Sequence, residues 1–418
     1  MSRRRVVITG LGTINPLGNT IKEYWEGLKA GISGIDRITR FDASELPCQI
    51  AGEVKDFDPL LYFDRKAVRR VPLSTQFAIA AAQEAVEDAG LPQTMPEPER
   101  AGVLFGTGVG GVDLIIGTYE VLQKKGHRRL NPFHLPAGIP NIPAFQIAER
   151  FQCLGPNNTT TTACAAGTQA VGEGAELIRR NAADIVIAGG CEAIIFDIAI
   201  AGFGAMRAVP FNYNDRPQEA SQPFDANREG FILSEGSAVL VLEYLEHALD
   251  RGAQIYAEVV GHSSSSDAYH LAALKPDGSG PSRAMRWAIE DAGLELTDVD
   301  YINAHGTSTP LNDATETLAI KNVFGELAYN IPISSTKSMI GHAMGASGAM
   351  EAIVCALVVK NDLIPPTINY HTPDPECDLN YVPNKLLAKE VKVALSNSFG
   401  LGGQNACLVI KKFNQSDN

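Results

Sequence analysis

The segment AVEDAGL, Ala85 to Leu91, returns as AIEDAGL, Ala288 to Leu294, 203 residues further along a chain of 418. Each copy closes an Ala-rich amphipathic helical stretch. Each is then followed by an apolar strand-like run and a Gly-Thr turn: AGVLFG with Gly106-Thr107-Gly108 after the first, VDYINA with His305-Gly306-Thr307-Ser308 after the second. A further pair of units, TTTTACAAGTQAVGEGAELI and ISSTKSMIGHAMGASGAMEAIVCAL, each runs from a Ser/Thr-rich strand into a helix opened by small residues. This recurrence points to a duplicated unit. Strand-like runs (VVITGLG, GVLFG, DIVIAGG, AVLVLE, AEVVGHS, YINAHG, ALSNSF, ACLVIKK) alternate with helices throughout, so the fold class is α/β with mostly buried sheets. The halves are residues 1-252 and 253-418, integrated into one unit, and no Pro/Gly/Ser-rich linker breaks the alternation. The polar loop from Pro210 to Asn227 reads as a long excursion rather than a lid.

Composition narrows the function. Against 48 acidic side chains stand 35 basic ones, a net charge of −13, which disfavours nucleic acid as a partner because phosphate binding rests on a basic surface. Hydrophobic residues make up 45%, enough for a large core. No apolar run reaches the roughly 18 residues of a membrane span, and MSRRRVVITGLG passes directly into a strand pattern. The expected setting is cytoplasmic and away from membranes, with a plastid as the alternative. Seven cysteines without CxxC pairs and only eight histidines suggest neither a disulfide framework nor a zinc site.

The string GTGVGG, Gly106 to Gly111, matches GxGxxG after a strand, but HRRLNP stands where a dinucleotide site needs its acidic residue, so close backbone packing explains these glycines better. Cys164 lies where TTTT gives way to a helix whose Val171, Ala175 and Ile178 share one buried face. A helix N-terminus favours thiolate, and Ala163, Ala165 and Ala166 leave room for an approaching carbonyl. A small buried packing cysteine is the alternative, and it is the reading for the other six. His305 ends the strand YINAHG, and His342 opens GHAMGASGA. Either alone reads as structural. Together with Cys164, kept neutral by helix N-termini, they could donate Nε2–H to a substrate carbonyl. Lys337 lies five residues before His342, while Asp313 and Glu316 sit at i and i+3 on the helix after HGTSTP. The tail SNSFGLGGQNA places Gly400, Gly402 and Gly403 between two strands, as a hairpin or as a gate presenting backbone N–H groups to an oxyanion.

TACAAG, NAHGTSTP, STKSMIGH and GLGGQN, in this order across nearly the whole chain, resemble the Cys–His–His condensing enzymes of the thiolase superfamily. PTINYHTPDPECDLNYVPN favours the elongating, type II β-ketoacyl-acyl-carrier-protein synthases among them. The resemblance implies a thiolase-like fold in five layers, α-β-α-β-α, a homodimer, and a ping-pong decarboxylative condensation that lengthens an acyl chain by two carbons. Cys164 would be the nucleophile, with its own N–H and that of Leu401 holding the oxyanion. His305 and His342 would stabilise the enolate formed from malonyl carrier protein. Lys337, held by Glu316 and near Asp313, would be the supporting lysine, and Phe399 the aromatic beside the malonyl site. Val109 and Phe203 would line the acyl pocket. Acyl carrier protein is the implied partner. Lys66, Arg69 and Arg70, spaced for one helix face in DRKAVRR, with Arg128, Arg129 and Arg207, would form its basic patch; a solvated charged face is the alternative. No cofactor is required by the chemistry, though Asn303, Glu351, Ser396 and Asn397 fall where some relatives hold a structural Na+ or K+. Leu401 replaces the family's gating Phe, and Gln404 its Thr. The rival readings are a ketosynthase of a polyketide or other specialised acyl pathway, and a non-elongating partner subunit.

Overall fold

The computed structural model of the chain describes residues 3–414. Ten strands among them form one sheet: β1 (Val6–Ile14), β2 (Ala101–Gly106), β3 (Asn157–Thr160), β4 (Ile185–Glu192), β5 (Gly236–Tyr244), β6 (Ala257–Ser266), β7 (Tyr301–Asn303), β8 (Ile333–Ser334), β9 (Val393–Gly400) and β10 (Gln404–Lys411). Their spatial order is 8-7-9-10-6-1-5-4-2-3. Read inward from either edge, the first five strands run 3-2-4-5-1 and the last five 8-7-9-10-6, so each strand n of one half has strand n+5 of the other as its counterpart. The pairing types repeat as well. Strands β2/β3, β2/β4, β7/β8 and β7/β9 are parallel, and β4/β5, β5/β1, β9/β10 and β10/β6 antiparallel. The halves meet where β1 pairs antiparallel with β6, Val7 opposite Glu258.

Seven helices position the site: α1 (Leu73–Asp88), α2 (Val112–Lys125), α3 (Ile142–Phe151), α4 (Ala166–Arg179), α5 (Ser279–Asp291), α6 (Pro310–Phe324) and α7 (Ser347–Asn361). Three buried clusters mark the layers. One packs α1 and α3 on the outside of the first half-sheet, one packs α5 and α6 on the outside of the second, and the largest unites α4, α7 and the inner faces of both. The five layers are thus α-β-α-β-α, with the two β layers continuous through β1 and β6. Lying between two half-sheets, α7 is buried all round, which is why its pattern is apolar on every face. The stretch Met344–Asn361 is long and apolar enough to cross a membrane, and 89% of it is buried inside the protein.

The repeated heptapeptide has a physical cause. A Cβ on Gly10 of β1 would meet Ala85 O at 2.1 Å and Ala89 Cβ at 2.7 Å, and one on Gly261 of β6 would meet Ala288 O at 2.2 Å and Ala292 Cβ at 2.8 Å. Helix and strand backbones therefore touch at the same point in both halves, which only Gly against Ala permits. Each strand has a register shift at that point, and the helix aspartate takes up a freed strand N–H: Asp88 Oδ2 accepts from Leu11 N at 2.9 Å, Asp291 Oδ2 from His262 N at 3.0 Å. Gly90 and Gly293 then leave the helix at φ +66° and +65°. The GTGVGG glycines are likewise packing residues, since a Cβ on Gly106 would meet Ala166 C at 2.4 Å.

One expectation needs correcting here. Residues 65–70 form consecutive turns rather than a helix; Asp64 Oδ1 accepts from Lys66 N and Ala67 N, and Pro72 follows closely. The turns still gather Lys66, Arg69 and Arg70 around one hollow with Asn131 and His134. The excursion from Pro210 to Asn227 is tied down: Ser221 Oγ donates to Lys337 O at 2.7 Å, and Phe224, fully buried, stacks on Tyr381 at 4.0 Å.

Candidate active site

Cys164 stands in a single 3-10 turn, Ala163–Ala165, that leads into α4. Ala163 is held at φ +50°, a left-handed conformation for a residue with a Cβ, so the turn that presents the thiol is strained. The thiol is buried, and Sγ lies 3.0 Å from His342 Nε2; His342 Nδ1 in turn lies 2.9 Å from Ser347 Oγ. The main chain of His342 is fixed on both sides, its N donating to Ile232 O at 2.7 Å and its O accepting from Ser234 N at 3.0 Å. His305 is seated by Glu316, whose two oxygens accept the N–H groups of His305 and Gly306, both at 2.8 Å. Its ring stands edge-on to His342 at 5.4 Å and 5.7 Å from Phe399. Its Nδ1 is buried without a partner in the protein.

Electrostatics keep this trio neutral. Burial, then the nearby Lys337 ammonium, hold both imidazoles well below the usual histidine range. Burial also pushes the Cys164 thiol up to about 11, while the Leu401 N–H and Lys337 pull it down and Glu192 pushes it further up. The thiolate expected from the helix N-terminus is therefore outweighed by desolvation, and Cys164 rests as a thiol. One donor atom from each of Cys164, His305 and His342 lies within 4.8 Å of the others, one ligand short of a closed structural zinc site.

Lys337 departs from what the resemblance implies. Its ammonium pairs with Glu351, not Glu316, and both are fully buried. Ser347 and Glu351 are one helical turn apart on α7, so the helix brings both to the side that faces His342 and Lys337. Glu316 is already occupied by two backbone N–H groups and by Asn397 Nδ2 at 3.2 Å. Asp313 accepts from Phe224 N at 2.8 Å and lies 3.7 Å from Arg228.

The hairpin between β9 and β10 turns through Leu401, Gly402 at φ +83° and Gly403 at φ +68°. The Leu401 N–H faces the Cys164 sulfur. Gly400 lies so close that a Cβ there would meet Thr162 O at 2.6 Å and Cys164 N at 3.3 Å. A cavity of about 390 Å³ opens above the trio, walled by Phe203, Phe399, Leu401, Met344, Thr307 and Arg207 among others. Val109 does not line it and is exposed. Arg128 and Arg129 lie exposed on a separate short turn, His127–Arg129, away from the cavity wall.

For the candidate cation site, Asn303 and Ser396 face each other in register across β7 and β9. Asn303 Oδ1, Ser396 Oγ and Glu351 Oε2 are buried with no partner in the protein. Oxygens of this kind are the ligands a hard monovalent cation takes, although Glu351 also bears on the Ser398 hydroxyl and Ser396 on the Cys355 thiol. Asn397 does not join them, because the next residue of a strand points to the opposite face, where it meets Glu316 and, at 3.2 Å, the Cys407 thiol.

Sequence reasoning missed Ser347, Arg228 and Glu192. The last ends the apolar strand β4 and is fully buried, and a carboxylate closing the run IVIAGG is the signal that could have found it.

Known proteins carry the same pattern. The family description "Beta-ketoacyl synthase, N-terminal domain" fits residues 3–248, and "Beta-ketoacyl synthase, C-terminal domain" fits residues 256–371. A 3-oxoacyl-[acyl-carrier-protein] synthase 2 of Synechocystis sp. is 50% identical over 413 residues, covering 99% of each chain. Among solved structures, the ishigamide ketosynthase/chain length factor superposes with a TM-score of 0.92 at 38% identity, over 99% of this chain and 100% of that one. A ketosynthase in complex with a type II PKS acyl-carrier protein, bound to the hexaketide, gives 0.88 at 36% identity, over 99% and 100%.

Proposed function

The chain belongs to the beta-ketoacyl synthase family, and from that premise we propose how its own residues carry out the condensation. It is an acyltransferase of fatty-acid elongation, joining an acyl group to a two-carbon unit from a malonyl thioester. In the first half-reaction Cys164 Sγ attacks the thioester carbonyl of an acyl carrier protein. The oxyanion is received by the N–H groups of Cys164 and Leu401, the carbon–sulfur bond to the carrier breaks, and the thiol's proton leaves with the carrier's sulfur. In the second, the malonyl thioester oxygen accepts hydrogen bonds from Nε2–H of His305 and of His342 while carbon dioxide departs. The resulting carbanion attacks the acyl carbon, and Cys164 leaves as thiolate.

The observation that carries this reading is the 3.0 Å approach of His342 Nε2 to Cys164 Sγ with both imidazoles held neutral. Neutral rings can donate to an enolate without first losing a proton to it. Lys337 acts through its charge, holding the rings neutral; Phe399, against His305, shapes the malonyl side. A degradative thiolase would need a second cysteine in the glycine loop, whereas Cys407 lies in β10 and faces Asn397.

No cofactor enters these steps. A monovalent cation, where bound, would be held by Asn303, Ser396 and Glu351 and would supply fixed positive charge beside the Lys337–Glu351 pair. The partners we assign are acyl carrier protein, at Lys66, Arg69, Arg70, Arg128, Arg129 and Arg207, and a second copy of the chain. Support for the second copy comes from β3, which ends the sheet with its outer edge open, and from α2, none of whose residues is buried although it carries Ile115, Tyr119 and Leu122. We place the protein in the cytoplasm, as its bacterial relatives suggest.

Intact-mass analysis with acyl carrier proteins loaded with primers of graded length tests the reading. We expect Cys164 to gain the acyl mass, Cys164→Ala to gain none, and malonyl carrier protein to release a product two carbons longer. A wild-type chain that takes up acyl mass from no primer would sink the elongation reading and favour a specialised substrate or a partner subunit.

A further inference from the structure

Glu192 is a fully buried carboxylate with no cation beside it. Such a group is expensive to desolvate and persists only where its hydrogen bonds are met. Here they are met by main-chain donors from both halves of the molecule. Oε2 accepts from Gly108 N at 2.7 Å and from Gly345 N at 3.0 Å; Oε1 accepts from Val109 N at 3.3 Å and from Thr107 Oγ1 at 3.2 Å. Thr107 to Val109 form the turn after β2. Gly345 lies in the one-turn 3-10 helix Met344–Ala346 between His342 and α7. The two turns are in backbone contact: a Cβ on Gly345 would meet Gly108 N at 2.4 Å, one on Gly190 would meet Gly345 O at 2.5 Å, and one on Gly108 would meet Glu192 Oε2 at 2.7 Å. Met344, held at φ +44°, lines the catalytic cavity.

We propose that Glu192 is a positioning residue of the condensing site, clamping the turn after β2 to the turn before α7 and thereby setting both the seat of His342 and the charge met by Cys164. The inference rests on the reading of Cys164 as nucleophile. The groups that bear on the Cys164 thiol are the Lys337 ammonium, which favours its ionisation, the Glu192 carboxylate, which opposes it, and the two neutral imidazoles. Those that face Glu192 are the thiols of Cys164 and Cys191, and its remaining neighbours are neutral N–H and O–H donors. Burial pushes Glu192 up to about 7, so its charge changes around neutral pH.

The test uses the full chain and reads two things: the rate at which iodoacetamide alkylates Cys164, followed by intact mass from about pH 6 to 10, and the rate of condensation. In wild type, alkylation should rise with pH through a shoulder near 7, where the new Glu192 charge begins to oppose thiolate formation. Glu192→Gln should remove the shoulder, raise the alkylation rate above pH 7, and slow condensation by roughly tenfold or more as one carboxylate oxygen is replaced by an NH2 that faces donors. Glu192→Asp keeps the charge but is one methylene too short to hold both turns; it should keep the wild-type dependence of alkylation rate on pH and still slow condensation. A wild-type profile with no shoulder overturns the electrostatic half even if Glu192→Gln does not fold. Condensation by Glu192→Asp at the wild-type rate overturns the clamp. If iodoacetamide adds no mass at Cys164 at any pH, the nucleophile reading itself fails.

Discussion

The turn that carries Cys164, Ala163–Ala165, and the turn that carries Gly345, Met344–Ala346, are the same device built twice. Both are single 3-10 turns running straight into a central helix, and both begin with a non-glycine residue in the left-handed region, Ala163 at φ +50° and Met344 at φ +44°. Their middle residues differ. In the first half that residue is a cysteine whose sulfur enters the cavity; in the second it is a glycine whose N–H is consumed by Glu192. Duplication thus supplied two equivalent strained turns, and the chain uses one for chemistry and the other for fastening. The strands' ends show the same division. The turn after β7 carries His305, while its counterpart after β2 carries the Thr107–Val109 donors to Glu192.

The comparison is broken most severely at the two middle residues. Cys164→Ala should abolish the acyl adduct and all condensation while changing stability by about 1 kcal/mol or less, because it only trims a buried side chain. Gly345→Ala should do the reverse in order: the new Cβ collides with another segment's backbone, so we expect a loss of about 1–3 kcal/mol in denaturant titration, with partial activity retained. Equal stabilities for the two variants would mean that the turns are not fastened differently.

Lys337→Met comes next. It strands Glu351 in the core, and breaking a buried pair from one side costs about 3–5 kcal/mol. Glu351 is already pushed up to about 7 by burial, above its unfolded value. A carboxyl raised in this way contributes stability that is present below its unfolded range, near 4.5, and lost as pH rises through the folded value. The deficit of Lys337→Met should therefore be larger at pH 8 than at pH 5 in urea titrations run at both. Removing the ammonium also raises both imidazoles toward their ordinary range, so the acid limb of the condensation rate should move to higher pH. An acid limb that stays in place would show that Lys337 does not act on the histidines.

What the sequence made legible, and what it hid, divides along the same line. The heptapeptide repeat carries the fold because Ala85, Asp88, Ala288 and Asp291 all serve local helix–strand contacts, which leave a periodic trace. Cys164, His305 and His342 were legible because each sits at a strand or helix boundary that local patterning can locate. The Lys337–Glu351 pair was not, since the sequence offers Glu316 and Asp313 as well and only the packing of α7 selects among them. The basic segment at Lys66 to Arg70 has helical spacing but too few residues before Pro72 to sustain a helix, so periodicity misled. Val109, placed at the acyl pocket by the resemblance, is exposed and does not line the cavity at Cys164, and its main-chain N–H is bound to Glu192.

The smallest expected effect sharpens the traffic between the halves. Leu401 comes from the second half and meets the first half's nucleophile in two ways, through its backbone N–H, which faces the sulfur, and through its side chain, which packs into the apolar cluster of Cys164, Phe203, Phe231 and Met344. Leu401→Ala keeps the first and removes the second. Loading of short primers onto Cys164 should then stay within about threefold of wild type, while the preference between long and short primers shifts by roughly tenfold, the scale on which an apolar contact discriminates. Competition between primers of different length, read by intact mass of the acyl-enzyme, separates the contributions. A uniform slowing of every primer would mean that the side chain serves only to hold the hairpin, and that the second half contributes to acyl selection through its backbone alone.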